Sequence, residues 1–219
     1  MATLVSLREQ QKQLTRRRLL EAALEVFSSK GYANTTVDDV VASAGASRAT
    51  FYLHFSSKID LLLEVSTIAT ENTPALYAAL DNALADGSRA ELEAAIDGII
   101  NWFEEHSGLL QATAEAAMDT PDLRRKARHL LDQFFQAMPY VRSTWPASLE
   151  EQARLRLYLF VLQFERFFQN RKAAGKWDFP RDALIRVLAD LWSVGFFPPA
   201  PSAEPALNSA RRKLSNPSS

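Results

Sequence analysis

The chain has 219 residues and a net charge of −1, enough length for one large domain or for a small and a medium one, and no overall charge that argues for nucleic acid. A hydrophobic content of 47% with 23% charged residues is ordinary for a globular protein, and seven glycines with few alternating β-branched runs favour helices over strands. The absence of cysteine excludes a disulfide framework and thiolate metal sites; with no signal-like apolar core and no apolar run longer than residues 157–162, the expected location is the cytoplasm, without a membrane partner.

In chain order, residues 1–14 carry no clear periodicity and read as a flexible arm. A first helix is expected over 15–30, with Leu20, Ala23, Leu24 and Phe27 as its buried stripe and Gly31 as its stop. Arg16, Arg17 and Arg18 then fall in its first turn, where the helix dipole disfavours positive charge. Such a conflict fits a phosphate-facing arm, and a solvated charge run fits as well. Up to Lys58 there are eight basic and five acidic residues, a net +3, against 17 basic and 21 acidic residues, a net −4, in the remainder. A basic head on an acidic body suits a protein that meets phosphate at one end.

Residues 36–58 are the most informative stretch. Val37, Val40, Val41 and Ala44 form one apolar helical face, Thr36 and Asp39 form a capping box, and Gly45 stands where a helix ends in a left-handed residue. Ser47 caps a second short helix whose Phe51 and Phe55 point inward. This is the sequence form of a helix-turn-helix, whose second helix enters the DNA major groove; two amphipathic helices of an unrelated bundle would also fit. The outward positions on the second helix are Ala49, Thr50, Tyr52 and Leu53, with Arg48 on the flank. Arg48 suits a guanine, Thr50 either base type, and Ala49 or Leu53 a thymine methyl. His54 and Lys58 at the exit of this helix, and Thr36 at the entry, are placed for phosphates, and the capping residue Ser47 is counted with the DNA-binding residues.

The segment from Thr36 through Gly45-Ala46-Ser47-Arg48-Ala49-Thr50-Phe51-Tyr52-Leu53-His54-Phe55-Ser56-Ser57-Lys58 to Leu61 resembles the DNA-binding signature of the tetracycline-repressor (TetR/AcrR-like) family. Its core is intact as Tyr52-x-His54-Phe55-x-x-Lys58, and the likeness covers about residues 20–62. Leu53 departs from it, since many members carry a second aromatic there. The resemblance implies a homodimeric transcriptional regulator, usually a repressor, with a variable helical domain that binds a small effector.

A fourth helix is expected to start at Ser57 with Asp60 at its capping-box position, presenting Leu61, Val65 and Ile68. Beyond it, Pro and Gly punctuation predicts helices near 74–85, 88–106, 109–118, 121–137, 149–173 and 180–195. The expected organisation is therefore all-α: an arm (1–14), a three-helix helix-turn-helix domain (15–56), a helical effector-binding and dimerisation domain (57–196), and a Pro/Ser/Ala-rich disordered tail (197–219). Segment 149–173 is too apolar for one buried stripe, and with 180–195 it suits a four-helix dimer interface built from Leu155, Leu159, Leu162, Leu184, Leu188, Leu191 and Trp192. A monomeric bundle with a generous core is the other reading. The run 175–180, Gly-Lys-Trp-Asp-Phe-Pro, also resembles the C-terminal pattern of many TetR-type proteins.

Candidates to line an effector pocket are Trp102, Phe103, His106, Met118, Phe134, Phe135, Met138, Tyr158 and Phe164, with Glu115 and Glu165 as acids in apolar surroundings. Plain core is the competing role for each. His54, His106 and His129 show no metal-ligand spacing, and no hydrolase, P-loop or zinc-protease motif is present, so neither enzyme chemistry, a metal nor a cofactor is expected. The resulting expectation is a dimeric repressor that binds double-stranded palindromic DNA and is released by a small apolar or amphipathic effector. The alternative is an architectural or partner-binding DNA protein of the same fold with no effector.

Overall fold

Hydroxyl caps set five of the helix starts among the described residues. Ser6 accepts from the amide of Glu9 to begin α1 (Leu7–Lys30), Thr36 and Asp39 close a full capping box on α2 (Val37–Ala44), Ser47 caps α3 (Arg48–Tyr52) and Ser57 caps α4 (Lys58–Thr70). There follow α5 (Thr73–Asp86), α6 (Arg89–Ala117) capped by Ser88, α7 (Pro121–Gln136), α8 (Pro139–Ser143), a single 3-10 turn (Ala147–Leu149), α9 (Glu150–Ala173) and α10 (Arg181–Gly195). This computed structural model describes residues 6–173 and 179–199, and among them the chain is all-α, with no strand. The expectations for residues 1–5, 175–178 and 200–219 lie outside the described residues.

Several expectations are corrected. Helix α1 begins at Leu7 rather than near Thr15, because Ser6 supplies the cap; residues 7–14 are therefore helix and not arm. Arg16, Arg17 and Arg18 then lie in its third turn, so the dipole conflict disappears. The buried stripe of α1 is Leu19, Ala22, Ala23, Val26 and Phe27, while Leu24 is exposed and Leu20 only partly covered. In α4, Leu61, Leu62, Val65 and Ser66 are buried and Ile68 faces outward.

The expected break at Gly108 does not occur. Helix α6 runs unbroken for 29 residues, and Gly108 serves a different purpose. A Cβ built there would lie 2.3 Å from the carbonyl oxygen of Ser28. Only a bare Cα lets α6 lie this close to α1. Leu109, Ala112 and Ala116 of α6 thereby join Leu19, Phe27, Val40, Phe51, Phe55 and Leu61 in one hydrophobic core.

A second core fills the body. Tyr77 of α5 stacks on Phe134 of α7 with ring centroids 4.0 Å apart, and Phe103, Phe164 and Phe168 pack between α6 and α9. Asp81, buried on α5, accepts 2.8 Å bonds from the amides of Tyr140 and Val141, satisfying the start of α8. Arg181 opens α10 by bonding Asp97, Asn101 and Glu104 of α6.

Only some of the residues expected at a dimer face are exposed. Leu155, Leu159 and Leu162 are half exposed in an i, i+4, i+7 stripe on α9, and Leu191 is half exposed on α10. Trp192 is instead buried within the chain against Phe160, Phe164 and Phe196, and Leu184 and Leu188 pack on the same core. The outer stripe of α10 is Val187, Leu191 and Val194. The two faces of α10 are one residue out of register with the expectation.

The close approach of α6 to α1 is testable. Gly108→Ala should cost about 1–3 kcal/mol of unfolding free energy through overpacking, read as a lower urea midpoint. Gly98→Ala on the same helix, where the nearest atom is Leu76 Cδ2 at 4.0 Å, should be neutral or stabilising.

Candidate nucleic-acid interface and ligand cavity

At five residues α3 is too short to hold itself together, so its shape comes from Phe51 and Phe55, both buried in the head core. Anchoring these two rings turns Arg48, Ala49, Tyr52 and Leu53 outward, with Leu53 78% exposed. Gly45, at φ 63°, makes the left-handed turn between α2 and α3. Thr50 is partly covered, and its hydroxyl lies 2.8 Å from that of Ser47. Arg48 reaches back to Asp38 of α2 at 2.8 Å, and its guanidinium is pushed further toward the charged form by Tyr52 and then by Asp38. Both members of that ion pair are more than half exposed, so the pair is weakly held.

His54 is partly buried, and its imidazole pKa is lowered by that burial and by nearby Arg16 and Lys12. Arg16 itself does not face outward. It donates to the carbonyl oxygen of His54 at 2.9 Å, pairs with Glu64 of α4 and lies 4.5 Å from the ring centre of Phe55. Of the arginine run, Arg17 pairs with Glu21 along α1.

Lys58 is the main departure from the expected site. Rather than standing free for a phosphate, its ammonium donates to the carbonyl oxygens of Tyr32 and Thr35, both at 2.7 Å, and lies 4.0 Å from the Tyr32 ring centre. Burial pulls its pKa down. Lys58 thus fastens the start of α4 to the turn between α1 and α2. Thr36 is exposed, but its side chain is spent on Asp39, whose carboxyl is held well below the usual range by Lys30 and Thr36.

One group of residues was not singled out from sequence. The first turns of α1 run alongside α3, and Ser6, Arg8, Gln11 and Lys12 line a polar cleft with Thr50, Leu53 and His54. Only the recognition of Ser6 as a cap would have extended the helix far enough to place them.

Among helices α4, α5, α6, α7 and α9 lies a cavity of about 440 Å³. Of the expected residues, Trp102, Phe103, His106, Met118 and Phe134 line it. Phe135, Met138 and Phe164 are instead buried in the body core, and Tyr158 donates its hydroxyl to Asp132. They lie one helical step to the side, since a helix sends neighbouring aromatics to different faces. The wall also includes Ser66 and Thr70 of α4, Leu76 and Tyr77 of α5, Leu130 and Leu131 of α7, and Val161 of α9. Its ionisable side chains besides His106 and Tyr77 are Arg124, Lys126 and Glu165. Glu165 is largely buried, which raises its pKa, and it accepts from the Gln169 amide at 3.1 Å.

Two contacts join the cavity wall to the head. The Ser66 and Thr113 hydroxyls lie 3.0 Å apart between α4 and α6. Glu115, between the wall residues Ala114 and Ala117 of α6, accepts from the backbone amides of Tyr32 at 3.0 Å and Ala33 at 3.4 Å. It therefore belongs to the link between α6 and the turn before α2, and it does not line the cavity.

Residues 19–65 match the family model of bacterial regulatory proteins, tetR family. The HTH-type transcriptional regulator AcrR of Shigella flexneri is 34% identical over 64 residues, which are 29% of this chain; the match spans only 30% of that protein's length. Over the larger part of the chain the likeness is structural. A putative TetR-family regulator from Mesorhizobium loti aligns over 84% of this chain and 96% of its own, with a TM-score of 0.61 at 21% identity. FadR of Bacillus subtilis, in complex with stearoyl-CoA, aligns over 82% of this chain and 98% of its own, with a TM-score of 0.60 at 16% identity. The intact Tyr52-x-His54-Phe55-x-x-Lys58 core and the capped helix-turn-helix around it lie inside the matched segment: residues 19–65 carry the DNA-binding domain of the tetR family of bacterial regulatory proteins, and the fold of the chain is similar to that of solved TetR-family structures.

Proposed function

We propose that this chain is a dimeric transcriptional repressor that binds a palindromic operator and is released from it by a small apolar or amphipathic effector. The observation that carries the reading is the sharing of two helices between cavity and head. Helices α4 and α6 both wall the cavity, and the same two helices hold the turn before α2 through Lys58 and Glu115. A ligand that shifts either helix changes the position of α3. The exposed stripes of Leu155, Leu159 and Leu162 on α9 and of Val187, Leu191 and Val194 on α10 support the dimer, since paired stripes of this kind form a four-helix interface.

In this arrangement two copies of α3 occupy successive major grooves about 34–36 Å apart. Arg48 exchanges its exposed pair with Asp38 for a base edge, Thr50, Tyr52 and Leu53 complete the reading surface, and Arg8 and Lys12 stand beside it for phosphates. An effector that favours a different spacing lowers DNA affinity by its coupling energy, and a hundredfold release needs roughly 2.8 kcal/mol. Gel-shift titration against the DNA flanking the chain's own gene, with and without effector candidates, tests the reading. Operator affinity that no cavity ligand alters would favour a factor without an effector.

Tyr52→Ala should weaken operator binding at least about tenfold while thermal stability and oligomeric state stay unchanged, because the ring is half exposed. Lys58→Ala should lower both DNA binding and the melting temperature, since it removes the ammonium from two backbone carbonyls. His54 supplies a pH dependence. Its pKa in the free protein is lowered, and a nearby phosphate would raise it, so the complex holds more protons than the free protein. Affinity should therefore rise as pH falls through the histidine range, and His54→Gln should flatten that rise in binding titrations at matched salt. Leu159→Glu should dissociate the dimer in sedimentation experiments and leave the helical content intact.

A further inference from the structure

The cavity wall holds an ammonium that no carboxylate neutralises. Lys126 of α7 lines the cavity, and its Nζ donates to the Leu63 carbonyl at 3.0 Å and the Thr67 hydroxyl at 2.7 Å, both on α4. Among the described residues it has no salt bridge, and partial burial pushes its pKa down to about 8, so it is held charged at some cost in an apolar setting. Arg124, also in the wall, is occupied at the far end of α6 by the carbonyls of Ala117 and Met118. The wall's carboxyl group, Glu165, is pushed by burial toward its neutral form and is partnered by Gln169. The balance of charge facing the cavity is thus positive, and it is concentrated at a group bonded to the helix that leads to the head.

We propose that the cavity selects amphipathic ligands with an anionic head, such as a carboxylate on an apolar tail, and that the head engages Lys126 and draws it away from Leu63 and Thr67 of α4. The inference rests on the reading of the cavity as an effector site and adds its ligand class and the contact that ligand changes. The chemistry is a competition for one ammonium. The carbonyl and the hydroxyl are neutral acceptors, whereas a carboxylate adds the attraction of an opposite charge, which an apolar wall screens less than water does. The tail fills space bounded by Leu76, Leu130 and Val161. Loss of the α7 contact releases the middle of α4, whose first residue holds the turn before α2.

Three ligands with one tail and different heads make the test: decanoate, decanol and decyltrimethylammonium, each below its micelle-forming concentration. Binding to the full chain is measured by calorimetry and by tryptophan fluorescence, Trp102 being in the wall. Decanoate should bind at least about tenfold tighter than either of the others. Lys126→Met, which keeps the stem, should erase that preference and leave decanol affinity within about threefold; Lys126→Arg should retain it. Hydrogen exchange across residues 63–67 should quicken with decanoate and not with decanol. Tightest binding of decyltrimethylammonium, or a decanoate preference that survives Lys126→Met, overturns the assignment. Unchanged exchange in α4 overturns the displacement alone. Should none of the three bind, the effector reading beneath it falls as well.

Discussion

Helix α6 lies against α1 at a distance that admits no side chain at position 108, and the nine residues of α6 that follow it depend on that contact. Leu109, Ala112 and Ala116 enter the head core, and Glu115 reaches the amides of Tyr32 and Ala33 just past the end of α1. Those amides have no helical partner, because α1 has ended at Gly31. A carboxylate from a distant helix supplies the acceptors instead. Pulled away by even one side chain's width, α6 would leave a cavity in the core and take the carboxylate acceptor from the partly buried amide of Tyr32.

The same constraint explains why the head and the cavity are not mechanically separate. Helix α4 is fixed at its start by Lys58 against the turn before α2, at Ser66 against Thr113 of α6, and at Leu63 and Thr67 against Lys126 of α7. Its buried residues, Leu61, Leu62 and Val65, belong to the head core. By contrast, the outward pair of Arg48 and Asp38 is solvated on both sides and holds little in place. Rigidity is thus concentrated where the head meets the body, and freedom remains at the surface that faces out.

Local signals were legible in the sequence and long-range ones were not. The caps at Thr36, Ser47 and Ser57, the turn at Gly45 and the inward rings of Phe51 and Phe55 all depend on residues within one helical turn. Gly108 looked like a helix stop because its purpose lies in Ser28, eighty positions earlier. Lys58 looked free because its acceptors are backbone oxygens 23 and 26 residues away, which leave no mark on composition. The stripes of α1 and α10 slipped by one residue, since both helices carry apolar residues on adjoining positions and only packing decides which are covered. The aromatics expected around a pocket come from α6, α7 and α9, three of the five helices that wall the cavity, and only some of them face it, because adjacent aromatics on one helix divide between core and wall.

The brevity of α3 has a consequence for how variants of this protein are interpreted. A five-residue helix has no stability of its own, and the ring of Phe51 is completely buried beneath it. A change at Phe51 would therefore disorder the neighbouring outward side chains together without removing any of them. In a genetic selection for lost regulation, such a lesion would be indistinguishable from a defect in base recognition. Assigning specificity from phenotype alone would then credit an interior phenylalanine with contacts it never makes.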